Sequence, residues 1–538
     1  MKMISHLRKL LGDFDGSRRT ADDIRGVWTP DTLKQILAED MPGTEVMVVS
    51  NREPYIHTLV DGAMTVQNPA SGLVTALEPV TRACGGTWIA HGSGDADWQM
   101  VDEQDRIAVP PDHPEYTLRR IRLCDEELNG YYYGFANEGL WPLCHIAYMR
   151  PMFRSDDWQH YVAVNRKFAD AVAEEARQPE PLVLVQDYHF ALLPQFIRER
   201  IPGATVVTFW HIPWPNAEAF GICPWREEIL SGLLGSSIIG FHTQSHCNNF
   251  FDTVDRFLEC RIDRDPSTIA VNGDISLVRP YPISIEWPPK PLERQAPVAQ
   301  CRAAVLGRLG LPETIRLGVG VERFDYTKGI LDRFRAVAAL LEHYPDWRGR
   351  FVFVQVAAPS RSKLPGYQQL QADAATLVED INQRFGGPDY QPIVLLARHH
   401  EPDQVFELFR AADVCVVSSL HDGMNLVAKE FVAARDDERG VLILSAFAGA
   451  SRELHEALIV NPYDTDAMAE GLALALTMPP AQQQARMRLM RDRVRDRNVY
   501  RWAGHMLLDA AHMRKRLRIV DVLPVPEAPG SRIPNLAA

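Results

Sequence analysis

The sequence predicts an α/β protein made of two doubly wound domains that face each other across a cleft. Three observations carry that expectation. From Val46 onward, short β-branched runs alternate with helical patterns; polar and charged residues collect where the runs end; and the series occurs twice, on either side of a proline-crowded stretch at 280–300. Parallel α/β sheets bind ligands beyond the carboxyl ends of their strands, so two such edges imply two sheets turned toward a shared cleft. A chain of 538 residues is also too long for a single core.

Composition narrows the function classes. Hydrophobic residues at 46% and charged residues at 24% describe a folded soluble protein. The net charge of −13 argues against a nucleic-acid partner, whose phosphate backbone needs a basic face. The eight cysteines are scattered without a CxxC pair, several inside apolar runs, and predict reduced core thiols in a cytoplasmic protein. The chain opens on no apolar signal region, and no apolar run approaches the ~18 residues of a membrane span, so neither secretion nor a membrane partner is expected.

Residues 1–45 read as a leader of two short amphipathic segments that pack on the body or, as the alternative, serve as a contact arm. The second starts with Thr29 as cap and Pro30 at the first helical position, followed by Leu33, Ile36 and Leu37. Residues 46–290 form the first domain. Its run 46–49 ends in Ser50-Asn51-Arg52, run 182–185 in Gln186-Asp187-Tyr188-His189, and run 206–209 in Trp210-His211-Ile212-Pro213. Residues 291–480 form the second domain. There run 317–321 ends in Glu322-Arg323-Phe324-Asp325-Tyr326-Thr327-Lys328-Gly329, run 351–354 continues to Pro359-Ser360-Arg361, and run 441–444 ends in Ser445-Ala446-Phe447-Ala448-Gly449. Pro282, Pro288, Pro289, Pro291 and Pro297 crowd the junction. The Arg-rich stretch 481–518 predicts a helical segment with a solvated basic face that packs Leu489, Val494 and Trp502 inward. Prolines 524, 526, 529 and 534 predict a loosely ordered tail over 519–538.

The run 414–417 ends in Ser418-Ser419-Leu420-His421-Asp422-Gly423-Met424-Asn425, and a helical pattern follows in which Val427, Phe431 and Ala434 recur. Gly423 permits a close turn, Asn425 caps the helix, and the N–H groups beyond it present partial positive charge to whatever lies above the strand. That is an anion site. Glu430, one turn further in, would repel a phosphate but accepts hydrogen bonds from a ribose diol. Alone, the stretch fits an ordinary strand-to-helix turn with a solvated Glu equally well. Arg323 and Lys328, five apart after another strand of the same half, add two cations. Three independent elements then agree on a nucleotide diphosphate, each charge-assisted hydrogen bond contributing about 1.5–3 kcal/mol. The alternative for Arg323 is a salt bridge to Asp325.

The first half then holds the other substrate. Arg52, faced by Arg361, brackets a second phosphate, and Tyr132 and Trp141 offer flat apolar faces with polar tips that suit a sugar ring or, taken singly, a core. A metal set is not legible: His399-His400 and the isolated histidines lack ligand spacing, and the HExxH pattern is absent from the sequence, as are a serine elbow and a Cys/His pair.

Ser50-Asn51-Arg52, Ser71-Gly72-Leu73, Tyr132 through Trp141-Pro142, Gln186-Asp187-Tyr188-His189, His211-Ile212-Pro213, Val321 through Gly329, Asp422-Gly423-Met424-Asn425-Leu426-Val427-Ala428-Lys429-Glu430 and Asn461-Pro462-Tyr463-Asp464 together resemble, in order, the trehalose-6-phosphate synthases. The resemblance implies a glycosyltransferase of the B type, with two Rossmann-like domains and a terminal helix crossing back to the first. It implies transfer of glucose from a nucleoside diphosphate glucose, usually UDP-glucose, to glucose 6-phosphate with retention. Arg323, Lys328 and the amides of Met424, Asn425, Leu426 and Val427 would hold the donor diphosphate beside Gly72 and Gly423, and Glu430 the ribose. His211 and Asp422 would contact the transferred glucose; Arg52, Tyr132, Trp141, Asp187 and Arg361 would grip the acceptor. With the leaving diphosphate taking the acceptor proton, no carboxylate nucleophile is needed, and Arg323 and Lys328 act where a metal acts elsewhere. Neither a metal nor another cofactor is expected.

Three departures mark this chain against the family pattern. Ser71-Gly72 replaces a double glycine, His421 stands where an arginine commonly precedes Asp-Gly, and His91 in Trp88-Ile89-Ala90-His91-Gly92-Ser93-Gly94 stands about where a tryptophan usually lies beside the acceptor sugar. The phosphate grip is kept while the sugar wall differs. Alternative readings are therefore a glucosylglycerol-phosphate synthase with glycerol 3-phosphate as acceptor, a sugar-phosphate-binding pseudo-enzyme that regulates a partner, and a pseudo-glycosyltransferase joining cyclitols. The partners expected are small-molecule substrates, with homo-oligomerisation left open.

Overall fold

The computed structural model describes residues 20, 24–67 and 72–522. The first leader segment, Ser71 and nearly all of the expected tail lie outside the described residues.

The first sheet is built from β1 (Val46–Arg52), β4 (Thr87–His91), β5 (Arg106–Val109), β6 (Tyr116–Ile121), β7 (Leu182–Gln186), β8 (Thr205–Phe209), β9 (Ile238–Phe241), β10 (Arg261–Asp263), β11 (Thr268–Val271) and β12 (Asp274–Pro280). Their order is β10-β11-β12-β9-β8-β7-β1-β4-β6-β5. The centre is parallel and the edges are antiparallel hairpins, β5 on β6 and β10-β11 on β12. The edge hairpins carry no continuous apolar run and so left no signal in the sequence, as in the exposed Arg261 and Asp263 of β10. A separate hairpin, β2 (Ile56–Val60) with β3 (Ala63–Gln67), follows β1.

The second sheet contains β13 (Arg316–Arg323), β14 (Phe351–Ala358), β15 (Ile393–Leu396), β16 (Val414–Val417), β17 (Val441–Ser445) and β18 (Leu458–Val460), all parallel, in the order β15-β14-β13-β16-β17-β18. Its chain reverses direction of growth between β13 and β16, and the β1/β7 reversal of the first sheet is equivalent. Both are the switch points at which open α/β sheets leave a crevice. Residues lining the cleft come from the ends of those strands.

Thr29 caps the helix Pro30–Asp40, with Leu33 and Ile36 fully buried. The Arg-rich segment is two helices rather than one. Pro480–Asp496 packs on the helix Leu426–Ala434 of the second domain, and only Val499–Val522 crosses back, onto Pro30–Asp40, Gly72–Cys84 and β8. Val494 and Trp502 are buried as expected, whereas Leu489 is 56% exposed. Met487 and Met490 take its place, and with Val494 they recur at spacings of three and four residues on the inward stripe. Five cysteines are buried, two are half-buried, and Cys124 is exposed, so not all are core thiols. Among the described residues no helix is long and apolar enough to cross a membrane.

Candidate active site

The donor side is made by the loop after β13 and the loop after β16. Asp325 accepts from the Thr327 backbone N–H (3.1 Å) and hydroxyl (2.9 Å), turning the chain so that Lys328 donates to Asp422 Oδ2 at 2.6 Å. Burial alone would raise the Asp422 pKa; the Lys328 charge, its hydrogen bond and the Asn425 amide hold it at about 2. Asn425 adopts φ +90° and accepts from the Ala428 N–H through its side chain, which caps the helix Leu426–Ala434. The N–H groups of Leu426 and Val427 lie in the first turn, where a helix has no internal acceptor for them. Glu430 is half-buried and bonded to no described residue, and burial pushes its pKa up to about 7.

Arg323, at the end of β13, does not pair with Asp325. Arg361 takes that carboxylate instead, at 2.9 Å, and leaves the Arg323 guanidinium without a hydrogen bond or ion pair to any described residue. Burial, then the charges of Arg52 and Arg361, press the Arg323 pKa below the usual guanidinium range. Three arginines from both domains therefore share one region, and among the described residues only Asp325 forms an ion pair with any of them, an arrangement that an incoming anion relieves.

The acceptor side begins with Arg52, where the pairing of β1 with β4 shifts register between Ser50 and Arg52. Its guanidinium donates to the Tyr132 hydroxyl at 3.4 Å. Burial raises the Tyr132 pKa, but Arg52 and Arg361 bring it down to about 8. Tyr132 and Trp141 come from a π-helix, Asn129–Leu140, running into Trp141–His145; the Trp141 N–H reaches the Ala136 carbonyl five residues back. The wide turn sets Tyr132, Asn137 and Trp141 along one side, and Asn137 Nδ2 donates to the Tyr132 carbonyl at 2.7 Å. Asp187, at φ +76°, accepts from the Tyr188 and His211 N–H groups (2.9 and 3.2 Å), and burial pushes its pKa up to about 7.

Two expectations are corrected here. The Trp141 ring is not an open sugar platform: it is 6% exposed, with the Arg361 guanidinium 3.9 Å over its centroid and His145 packed at 4.1 Å. It serves as the surface on which Arg361 lies. His91 ends β4 in register with Arg52, but its ring turns to the next strand, donating from Nδ1 to the Ile121 carbonyl at 3.1 Å. The charges that act on it are Asp97, Glu127 and Lys167, not the three arginines.

The two sides meet closely. A Cβ on Gly423 would lie 2.3 Å from the His211 carbonyl oxygen, so only glycine allows that approach. His421 Nδ1 donates across the cleft to the His145 carbonyl (2.6 Å), and Gly72 opens its helix against Leu426. Met424 is fixed by the Ala450 N–H on its carbonyl at 2.9 Å. His211 donates from Nε2 to Gln186 Oε1 (2.9 Å) and is kept neutral by burial, its pKa lowered to about 3.

Several site residues escape sequence reasoning. Arg333 is fully buried and spans Glu322, Gln355, Ser418 and the Lys328 carbonyl, bracing both donor loops; a helical arginine carries no local signal of this. Tyr367 and Tyr188 accept from Arg361. Among the described residues no group of three or more His, Cys, Asp or Glu is placed to hold a metal ion.

Residues 44–512 match the model of glycosyltransferase family 20. The chain is 37% identical over 481 residues to the trehalose-6-phosphate synthase of Mycolicibacterium smegmatis, covering 87% of this chain and 93% of that one. It is 37% identical over 499 residues to a bifunctional trehalose-6-phosphate synthase/phosphatase of Thermoproteus tenax, 89% of this chain but 66% of that relative. Among solved structures it is similar to an α,α-trehalose-phosphate synthase (UDP-forming) of Burkholderia xenovorans in complex with glucose-6-phosphate (TM-score 0.76, 32% identity, 87% and 99% covered). It is equally similar to an E. coli structure bound with UDP-2-fluoro glucose (TM-score 0.76, 31% identity, 87% and 99% covered).

Proposed function

The chain belongs to glycosyltransferase family 20, and on that premise we propose that it is a UDP-forming α,α-trehalose-phosphate synthase. It moves glucose from UDP-glucose to glucose 6-phosphate with retention, on the two-domain B-type fold. The observation that carries this reading is the sharing of one cleft by two anion sites: Lys328, Arg323 and the Leu426 helix N-terminus on one side, Arg52, Arg361 and Tyr132 on the other. A nucleoside diphosphate sugar and a sugar phosphate fit those sites respectively.

Lys328, Arg323 and the Leu426 and Val427 amides hold the diphosphate and stabilise the charge that develops as the glycosidic bond breaks. Asp422 and His211 orient the transferred glucose, Gly72 and Gly423 let backbone approach it, and Glu430 accepts from the ribose. Arg52, Tyr132 and Arg361 hold the acceptor phosphate, with Trp141 supporting Arg361, Asp187 accepting from the acceptor sugar and His91 behind that sugar's wall. The acceptor hydroxyl attacks on the face from which the diphosphate leaves, and its proton passes to the departing phosphate oxygen. These cations stabilise the leaving group as a metal ion does elsewhere, so a divalent ion is dispensable. Cytoplasmic residence follows from substrates of this kind.

An acceptor screen tests the reading: purified chain, UDP-glucose and EDTA, with glucose 6-phosphate and glycerol 3-phosphate offered separately and nucleotide release followed. Release with glucose 6-phosphate is expected. Release only with glycerol 3-phosphate would move the chain to the sister activity. Silence with both, repeated with ADP- and GDP-glucose, would make it a binding protein.

A further inference from the structure

Behind the acceptor side lies a set of buried ionisable groups that the transfer reaction does not use. Arg120, on β6, is 0% exposed. Its Nε donates to Glu53 Oε2 at 2.8 Å, its Nη1 to the Asp97 carbonyl at 2.8 Å, and its Nη2 to His57 Nδ1 at 2.8 Å, and it pairs with Asp97 Oδ1 at 2.8 Å. Taking such a set out of water is costly, and well-packed apolar side chains fill this volume at no such cost, so a position held this way calls for an account beyond stability.

The account is in what the carboxylates hold. Glu53 follows Arg52 directly, and its Oε1 accepts from the Ser93 N–H (2.7 Å) and hydroxyl (3.1 Å). Asp97 accepts from the His57 N–H (2.8 Å) and the Gly94 N–H (2.6 Å). The loop after β4 and the chain leaving β1 are thereby tied to one guanidinium. Among the described residues the Arg52 guanidinium has only the long bond to Tyr132, so where it lies depends on the backbone that carries it. On the other flank the Ser50 hydroxyl donates to the Arg52 carbonyl at 2.7 Å and accepts from Trp88 Nε1 at 2.8 Å.

We propose that Arg120 and Glu53 are positioning residues for the acceptor phosphate, fixing the backbone from which Arg52 is aimed into the cleft. The proposal rests on the reading that Arg52 grips that phosphate. Glu53→Gln is the test variant: it keeps the oxygen that Ser93 uses and turns the one facing Arg120 into an amide. Its kcat/KM for glucose 6-phosphate should fall about tenfold while UDP affinity stays within twofold. In an Arg52→Ala background the same change should cost nothing further, because the guanidinium it aims is gone. Arg120→Lys, which keeps the charge and loses the fork, should repeat the pattern if Glu53→Gln folds poorly.

Unchanged kcat/KM in folded Glu53→Gln and Arg120→Lys would overturn the proposal. So would an equal loss in the Arg52→Ala background, or a parallel loss of UDP affinity, either of which marks a purely structural set. Calorimetry with glucose 6-phosphate on the UDP-bound chain keeps the two readings apart. A wild-type chain that binds the sugar phosphate without turning over loses the assigned activity, and the same affinity comparison then decides the positioning claim. A chain that binds none loses both.

Discussion

Arg323 is the most exposed to test of the cleft residues, because Arg361 has taken the Asp325 carboxylate two residues along the chain and Arg323 is bonded to no described residue. Arg323→Ala should lower kcat by about 10²–10³ with an unchanged melting curve, since no protein bond is lost. Lys328→Ala should do the same to turnover and also raise the pH at which Asp422 protonates from about 2, because the buried carboxylate loses its partner. Near-normal rates in either variant would sink the donor assignment. Glu430 gives a pH test. Its folded pKa is raised to about 7 above the ordinary 4.5, so its charge penalises the fold from about pH 4.5 upward and in full above about pH 7. Glu430→Gln should therefore be more stable than wild type at pH 8, by on the order of 2 kcal/mol, no different at pH 4, and weaker for UDP-glucose. Paired urea melts at the two pH values read the first part and titration calorimetry the second. Motif residues at strand ends were legible because strand ends face the cleft. Their pairings were not: that Arg361 and not Arg323 takes Asp325 depends on two loops meeting, which no local pattern records.

The π-helix Asn129–Leu140 decides where the acceptor side sits. Its residues are an aromatic run with glycines and carry no apolar stripe of 3.6-residue period, so its form was invisible while its residue types were not. The parallel strands were legible for the opposite reason: buried on both faces, they read as plain apolar runs. Gly134 permits the helix to lie against Ser155–Glu175, where a Cβ would come 2.4 Å from the Asp157 carboxyl group. Gly134→Ala should cost about 1–3 kcal/mol in thermal unfolding and raise KM for the acceptor while leaving UDP affinity intact. An unaltered melting temperature would show that the two helices slide apart freely, contrary to their packing.

At the level of the whole molecule, two sheets are joined by two neighbouring crossings of the chain: the Val499 N–H of the returning segment donates to the Ile285 carbonyl of the outgoing one at 2.9 Å. The returning helix is fastened by Asp509, which accepts from Arg279 Nη1 (2.9 Å) and from the Tyr281 hydroxyl (2.7 Å). Asp509→Ala should destabilise the chain by about 1–3 kcal/mol with kcat for bound substrates little changed, checked by urea melts beside steady-state rates. A loss of rate without a loss of stability would place Asp509 in domain closure instead. Domain number and the return of the last helix were legible from run spacing and from the resemblance; the break at Arg497-Asn498 was not, because Arg-rich residues on both sides continue one helical composition. The return has a consequence for biogenesis. A nascent chain emerges from its first residue onward, and domains ordinarily fold in that order. Here Trp28, Ile36 and Phe209 wait for Trp502, Gly504 and their neighbours, which are translated after the entire second domain. The first domain to be synthesised is thus the last to be completed, and its apolar flank stays uncovered until those later residues emerge.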